Sequence, residues 1–371
     1  MKILIACDKF KGSLSAMEVA HHLRDSLQGV FPSATYDICP IADGGEGTTE
    51  AMVGAMGADW HEAQVSDAQN RPIRARYAIV HKTHQAVMEM SAASGLHQVT
   101  DVPLRPSTAS TLGTGQMMAQ SVHKGAQSIL IGIGGSATND AGLGVAIALG
   151  YRFLRQGNII QPTLETLLEV DEILPPTTPW LIPVQVACDV DNPLLGPRGC
   201  TRVYGPQKGV QDFVWFEQRL EHLTFLVKRH LGKDFKDVPG AGAAGGLGFG
   251  LMTFANAQLV PGFELIAQHM QLSQRIQKAD IVFTGEGRMD AQSLQGKGPI
   301  GVARLCQMLH KPIIGVVGSF EKSTALENVF DLLMATKPET LSLTEAMQRT
   351  PELIRKSIND HAKLLIEIAR G

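Results

Sequence analysis

The sequence predicts an α/β protein in which a parallel-sheet outer domain is interrupted by a second, mixed α/β domain. The first sixty residues alternate between strands and helices, which is typical of a parallel sheet. The last hundred residues return to this βαβ rhythm. Residues 60–90 instead contain two strands of antiparallel character, joined by a turn at Asn70-Arg71-Pro72. We therefore predict a discontinuous outer domain, residues 1–60 plus 280–371, and an inserted domain, residues 61–279.

The individual elements follow from hydrophobic periodicity and from local start signals. Ser15 and Glu18 form the pattern of a capping box, which predicts a helix that runs through Leu27. A final amphipathic helix is predicted over residues 352–368. Strands are predicted near residues 2–6, 36–39, 128–133, 183–188, 281–283, 313–317 and 332–335, and those at residues 183–188 and 281–283 are expected to be buried.

Composition excludes several classes of protein. Of the 371 residues, 44% are hydrophobic and 19% are charged, so a disordered chain is not expected. The formal net charge is −3 and basic residues do not cluster, which argues against nucleic acid or an anionic membrane as a partner. Five scattered cysteines without a CxxC pattern favour a reducing compartment and no zinc site. The apolar run at residues 3–7 is too short for a signal peptide, so we expect a cytoplasmic location.

Four loops that carry carboxylates follow predicted strands, and three of them are rich in glycine. They are residues 42–47, 134–140, 187–193 and 284–290. Ligands of open α/β sheets bind where strands end, and glycine lets backbone N–H groups approach an anion closely. Any one of these loops could be only a tight turn, because glycine adopts positive φ at little cost. Four such loops with aspartates are harder to explain in that way.

The loop at residues 134–140 is the best candidate for binding phosphate, since it follows a strong strand and opens a helix. Asp140 could hold Mg²⁺ directly or through water. The alternative is a simple helix cap by Ser136, Asn139 or Asp140. The predicted cofactor-binding residues are Gly134, Gly135, Ser136, Thr138 and Asn139.

Two dinucleotide-type patterns keep a second function open. Residues 132–137 match G-x-G-x-x-A after a strand, whereas residues 240–245 match G-x-G-x-x-G without a convincing strand. The ribose carboxylate expected about twenty residues later is missing, although Arg152 and Arg155 could face a 2′-phosphate. A Walker A motif is absent, because Gly296-Lys297 lacks both its upstream glycine and its following Ser or Thr.

Charged residues in these loops are candidates for chemistry. Lys9, Lys11, Arg288 and Lys297 could bind an anion, although a lone lysine is more often a solvated surface charge. For Arg288, which Glu286 and Asp290 flank, an internal ion pair is an alternative.

Two aspartates of the loop at residues 187–193 are the other candidates. Asp189 could accept a proton from a hydroxyl, and Asp191 could bind metal. The alternative for this pair is an Asx-turn before Pro193.

Taken together, these segments resemble the bacterial type I glycerate kinase family. The matching segments occur in family order and cover nearly the whole chain. Two departures are Cys7, where the family usually has proline, and Ala141, where glycine is common. The segments are residues 8–16, 42–48, 90–96, 113–115, 131–140, 187–190, 205–209, 240–248, 284–288 and 296–297.

The resemblance implies ATP-dependent phosphorylation of D-glycerate with Mg²⁺, usually at the 2-hydroxyl to give 2-phosphoglycerate. It also implies a flavodoxin-like domain with a second α/β domain inserted into it, and an active site in the cleft between them. Phosphorylation at the 3-hydroxyl stays open, as does a monomer or a homodimer. The competing hypotheses are an NADP-dependent hydroxy-acid oxidoreductase and a non-catalytic acid-binding protein.

The hypothesis of a kinase assigns a role to each candidate. Asp189 accepts the hydroxyl proton, while Lys9 and Arg288 neutralise the acceptor carboxylate and the transferring group. Metal is expected at Asp140 and Asp191. The predicted substrate-binding residues are Asp43, Arg288, Asp290 and Lys297.

Overall fold

The computed structural model describes residues 1–42, 45, 47–290, 293, 298–321, 326 and 328–370. The chain falls into two compact units. The first unit comprises residues 1–43, 50–57 and 263–371, and the second comprises residues 44–49 and 58–262.

The strands of the described residues are labelled β1 to β16 in chain order. They are Lys2–Ile5, Thr35–Ile38, Ala58–Ser66, Pro72–Val80, Gln85–Glu89, Ser128–Gly132, Arg152–Arg155, Asn158–Ile160, Glu172–Leu174, Val184–Ala187, Gln258–Val260, Ile281–Thr284, Arg288–Met289, Ile313–Val317, Ser319–Phe320 and Leu332–Ala335.

The α-helices of the described residues are labelled α1 to α14 in the same way. They are Ala16–Gln28, Thr48–Met56, Ser91–Ser94, Leu112–His123, Leu143–Ala148, Cys200–Tyr204, Phe213–Leu231, Ala243–Phe254, Gly262–His269, Leu272–Lys278, Gly298–Met308, Leu343–Gln348, Thr350–Asp360 and Ala362–Arg370.

The first unit is built on a parallel five-stranded sheet in the order β16-β14-β12-β1-β2. Counted within this unit alone, the order is 5-4-3-1-2, which is the flavodoxin-like arrangement. The strand order reverses between β1 and β12, so this pair forms the topological switch point where such sheets bind ligands. The core contains buried residues of the sheet and of the flanking helices α1 and α13.

Local signals explain the helices of this unit. Ser15 and Glu18 form the predicted capping box, since each side chain accepts the backbone N–H of the other. The predicted single helix over residues 352–368 is instead two helices, α13 and α14. His361 separates them with non-helical backbone, and its Nδ1 lies 2.8 Å from the carbonyl oxygen of Ser357.

The second unit contains a six-stranded sheet in the order β11-β10-β6-β5-β4-β3. Strands β5, β6, β10 and β11 are parallel, whereas β4 pairs antiparallel with both β3 and β5. The turn between β3 and β4 includes Asn70 at a φ of 63°, a conformation that asparagine tolerates. A separate antiparallel sheet, β8-β7-β9, packs its buried residues against α7.

The predicted fold class is confirmed, since a parallel α/β sheet and a mixed α/β sheet are both present. The predicted domain boundaries stay a prediction. The structure groups residues 263–279 with the first unit, whereas the prediction placed them in the insertion. Helix α10 contacts β1 and α11, and Arg275 of this helix pairs with Asp37 of β2 at 2.5 Å.

Candidate active site

The carboxyl edge of the second unit's sheet brings two predicted loops side by side. Glu89, Gly132, Ala187 and Val260 are in register across β5, β6, β10 and β11. Neighbouring strands of a sheet lie about 4.8 Å apart. The loop that follows β6 and the loop that carries Asp189 after β10 are therefore immediate neighbours.

The loop after β6 presents unoccupied backbone donors. Gly134 and Gly135 are exposed, and Gly135 has a φ of 75°. The N–H groups of Gly134, Gly135 and Ser136 donate to no acceptor within the described part of the chain. The loop is nevertheless anchored, because the carbonyl of Gly135 accepts the N–H of Leu96 at 2.9 Å. Consecutive free amides held in this way form a concavity suited to an anion.

A buried lysine lies against the same loop. Lys208 is 1% exposed, and its ammonium donates to Ser136 Oγ and to the Thr138 carbonyl, both at 2.6 Å. Burial lowers the pKa of Lys208 to about 8, although Cys200 and Asp140 oppose this shift. Among the described residues, no carboxylate forms an ion pair with Lys208. The positive charge of Lys208 is therefore stabilised by the dipoles of the Ser136 hydroxyl and the Thr138 carbonyl, close to backbone amides whose N–H groups have no acceptor among the described residues.

A second glycine-rich segment, residues 240–248, packs against the loop that follows β6. Within α8, residues 244–246 are left-handed, with φ values of 53°, 69° and 85°. A methyl group on Gly245 would lie 1.9 Å from the carbonyl oxygen of Thr138 and 2.8 Å from Nζ of Lys208. Only glycine permits this approach, so the segment at residues 240–248 supports the anion loop and Lys208 together.

The carboxylate of Asp140 is used inside the fold. Its Oδ2 accepts the N–H and the hydroxyl of Thr111 at 2.8 and 2.9 Å and the N–H of Gly144 at 3.2 Å, while Oδ1 accepts the N–H of Gly142 at 3.2 Å. Burial raises the pKa of Asp140, against hydrogen bonds that favour the ionised form. Asp140 therefore accepts N–H groups at the start of α5, although the N-cap residue of that helix is Gly142, and the metal role of Asp140 stays a prediction.

Thr138 and Asn139 are fully buried behind the exposed glycines. Asn139 donates through Nδ2 to Thr201 Oγ1 at 2.9 Å. Its Oδ1 and the Thr138 hydroxyl have no hydrogen-bond partner among the described residues. The roles of Thr138 and Asn139 in binding a cofactor stay predictions, and the exposed residues of this loop are Gly134 and Gly135.

The two aspartates after β10 differ in environment. Asp189 is half-buried, and its Oδ1 accepts the N–H of Gly262 at 2.7 Å. Asp191 is 75% exposed and pairs with Arg198 at 2.8 Å. The fixed carboxylate of Asp189 suits a positioned base, whereas that of Asp191 is accessible to a hydrated cation.

In the first unit, the switch point holds Asp8 and Lys9. The N–H of Asp8 donates to the carbonyl of Gly285 at 2.8 Å, which joins the loop after β1 to the loop after β12. The N–H of Lys9 donates to Asp8 Oδ1 at 2.6 Å. Lys9 therefore lies at the position in the fold where flavodoxin-like sheets bind ligands.

Arg288 pairs closely with Glu321, and of the two flanking carboxylates Asp290 lies within ion-pair distance. It is 66% exposed and contacts Glu321 at 2.6 Å and Asp290 at 4.0 Å. Arg288 and Asp290 thus lie close together on the loop after β12.

The comparisons with known proteins agree with one another. The model of the glycerate kinase family matches residues 3–366. A glycerate 2-kinase of Escherichia coli is 41% identical over 99% of this chain and 98% of its own length. A glycerate kinase of Bacillus subtilis is 39% identical over 98% of this chain and 97% of its own length.

A solved structure also covers both units. The crystal structure of a putative glycerate kinase 2 from Salmonella typhimurium has a TM-score of 0.89, with 37% identity over 99% of this chain and 98% of that chain. The chain belongs to the glycerate kinase family. The resemblance drawn from the motifs is therefore confirmed, as is the prediction of a kinase. The hypotheses of an oxidoreductase and of a non-catalytic binding protein are set aside.

Two of the predicted substrate-binding residues cannot be placed. Asp43 and Lys297 lie outside the described residues. The described residues include no cluster of three or more acidic, histidine or cysteine side chains with metal-binding geometry. No helix among the described residues is long and apolar enough to cross a membrane.

The sequence prediction missed Lys208. Its segment, Gly205-Pro206-Gln207-Lys208-Gly209, contributed to the resemblance but received no role. The available signal was this compact turn, in which Gly209 adopts a φ of 83°. A lysine in such a turn is usually solvated, and its burial depends on contacts with residues about seventy positions away.

Proposed function

We propose that this protein transfers the terminal phosphoryl group of Mg-ATP to the 2-hydroxyl of D-glycerate. Membership of the glycerate kinase family supports the substrate, and the relative named glycerate 2-kinase supports the position. Phosphorylation at the 3-hydroxyl is the alternative product. A cytoplasmic location stays part of the proposal.

The observation that carries the proposal is the loop at residues 134–136. It offers three adjacent amide N–H groups that have no acceptor among the described residues, at the carboxyl ends of the parallel strands of the mixed sheet and beside a buried ammonium. Phosphoryl transfer depends mainly on positioning and on stabilising negative charge, which are the two properties that this arrangement supplies. We assign the triphosphate to this loop.

Asp189 is the proposed general base. The N–H of Gly262 restrains one carboxylate oxygen. A restrained carboxylate within reach of the acceptor hydroxyl can accept its proton as the bond to phosphorus forms. Asp189→Asn should lower kcat by at least about a hundredfold with little change in either KM. A kcat near that of the unchanged protein would exclude Asp189 as the base.

Mg²⁺ fits this site as an ion whose oxygen ligands come partly from the protein and partly from the nucleotide. Protein sites for Mg²⁺ often supply one or two carboxylates, and phosphate oxygens and waters complete the shell. The exposed carboxylate of Asp191 can serve in this way, whereas the oxygens of Asp140 already accept four hydrogen bonds. Bound Mg²⁺ would supply neutralisation of phosphate charge.

For the glycerate carboxylate we propose cationic residues of the first unit. Lys9 at the switch point is the main candidate, and Arg288 is a second one that would have to exchange Glu321 for the substrate. An arginine fork matches a carboxylate with two parallel hydrogen bonds. Asp290, together with Asp43 and Lys297, keeps its predicted role in substrate binding.

A single experiment tests donor, acceptor and position together. Phosphorus NMR of the purified protein with D-glycerate and Mg-ATP should show ADP and the resonance of 2-phosphoglycerate. L-Glycerate and omission of Mg²⁺ are the controls. Formation of 3-phosphoglycerate would correct the position, and absence of any phosphorylated product would refute the proposed function.

A further inference from the structure

Lys208 has so far been described only by its place beside the loop at residues 134–136, yet it is among the most buried large side chains of the described residues. Its two hydrogen bonds, to Ser136 Oγ and the Thr138 carbonyl, hold two points of one short loop. Backbone hydrogen bonds also hold this loop, because the Gly135 carbonyl accepts the N–H of Leu96 and the N–H of Ala137 donates to the Ser94 carbonyl, both at 2.9 Å.

We propose that Lys208 is a positioning residue, which locks the loop at residues 134–138 so that its free amides bind the phosphate groups of the donor and which adds a fixed positive charge behind them. This inference rests on the proposed function for the identity of the donor. It concerns the loop and not the acceptor.

The first argument is steric. Gly245 approaches both the Thr138 carbonyl and Nζ of Lys208 so closely that a methyl group there would overlap the carbonyl oxygen. The left-handed segment at residues 244–246 therefore forms a wall on one side of the ammonium. The loop forms the other side. The ammonium thus has a defined position, unlike that of a lysine on a surface.

The second argument is electrostatic. The charged or titratable groups near Lys208 are Asp140 on the loop and Cys200 on α6, while residues 243–249 of α8 contribute none. Both oxygens of Asp140 are engaged by other donors, so its charge is shared with them. A buried ammonium without a hydrogen-bonded counter-charge is costly. An anion at the amides of residues 134–136 would supply part of the missing counter-charge.

A consequence for proton binding follows. Burial lowers the pKa of the free Lys208 ammonium to about 8. A bound polyphosphate stabilises the protonated form and therefore raises this pKa. Affinity for the donor should be greatest below pH about 8 and should fall by up to about tenfold per pH unit above it, with proton uptake on binding.

The test measures binding directly, so it does not depend on glycerate turnover. Isothermal titration calorimetry with ATP, and with inorganic tripolyphosphate as the phosphate-only probe, compares the unchanged protein with Lys208→Met and Lys208→Arg. We expect Lys208→Met to weaken both ligands by at least about tenfold and to abolish proton uptake. Lys208→Arg should retain part of the affinity and lose the pH dependence, because arginine does not titrate in this range.

Ser136→Ala is the matched control for the hydrogen bond, since it keeps the lysine and its charge. It should weaken ATP less than Lys208→Met and leave proton uptake intact. In steady-state assays KM for ATP should rise in Lys208→Met while KM for D-glycerate changes less than about twofold.

Three results would overturn the inference. These are unchanged ATP affinity in Lys208→Met, equal losses for ATP and glycerate, and donor affinity of the unchanged protein that is flat between pH 7 and 9.5. The last measurement needs no variant, so it decides the matter even if Lys208→Met does not fold. Failure of the proposed function would look different, because ATP binding would depend on Lys208 while no glycerate is phosphorylated.

Discussion

The contact between the two glycine-rich segments of the second unit can be tested with a matched pair of substitutions. Gly245 and Gly232 have similar φ values, 69° and 66°. A methyl group on Gly245 would meet the Thr138 carbonyl at 1.9 Å, whereas one on Gly232 would have nothing within 4 Å. Alanine at either position therefore carries the same backbone strain, and only Gly245→Ala adds a clash.

The magnitudes follow from these distances. A left-handed alanine costs about 1 kcal/mol, which is the whole effect expected for Gly232→Ala. The carbonyl is backbone and cannot rotate away, so Gly245→Ala adds overpacking of about 1–3 kcal/mol. We expect a total loss of about 2–4 kcal/mol for Gly245→Ala, which is two to four times the loss in the control.

Both glycines lie in the second unit, so both substitutions should act on the same unfolding transition. Differential scanning calorimetry should show a clearly larger decrease in Tm for Gly245→Ala than for Gly232→Ala. ATP affinity should fall only in Gly245→Ala, because Thr138 and the loop must shift. Equal decreases in Tm for the two variants would refute the reasoning that glycine is required here for close approach.

Three further predictions concern charged groups. Asp140→Asn should lower the free energy of unfolding by about 2–3 kcal/mol, because the amide nitrogen cannot accept the buried N–H groups that the carboxylate accepts. A variant that stays stable but loses its response to Mg²⁺ in titrations would instead favour the metal role. Arg288→Met should change stability by less than about 1 kcal/mol, because its pair with Glu321 is exposed. If Arg288 binds the substrate carboxylate, Arg288→Met should raise KM for glycerate, whereas Glu321→Gln, which removes the competing carboxylate, should lower it. Because the pKa of Lys208 is lowered in the folded protein, the unfolded chain binds one more proton than the native chain above pH about 8. The free energy of unfolding of the unchanged protein, measured in urea, should therefore rise by about 1 kcal/mol relative to that of Lys208→Met between pH 8 and 9. A difference that stays constant over this range would contradict the lowered pKa.

Much of the fold follows from local patterns in the sequence. Strands β1, β6, β12 and β14 are short apolar runs, each of which precedes a loop that contains glycine, and these patterns are readable without tertiary information. The capping box of Ser15 and Glu18 is equally local. The break at His361 was not foreseen, because an apolar stripe persists across it and a single side chain competes for a helix carbonyl.

The candidate site shows where local reasoning ends. The glycines at residues 134 and 135 predict an anion-binding loop, because they directly follow a strand. The function of Asp140 depends on Thr111, which is 29 residues earlier in the chain and gives no sequence signal of contact. A carboxylate in a glycine-rich loop after a strand therefore favours the prediction of a metal ligand, and only the folded structure shows that its oxygens accept hydrogen bonds from within the chain.

Ala141 illustrates how a small departure from the family acquires a physical meaning. Its φ of 51° places it in the left-handed region, and its N–H donates to the carbonyl of Gly245 at 3.1 Å. Glycine, which is common at this position in the family, would adopt this conformation without strain, so alanine costs about 1 kcal/mol here. The hydrogen bond between Ala141 and Gly245 helps to hold Ala141 in the left-handed conformation despite this cost in free energy. Gly245 of this contact also lies against Nζ of Lys208, so the segments at residues 134–142 and 240–248 form one structural element of the proposed donor site.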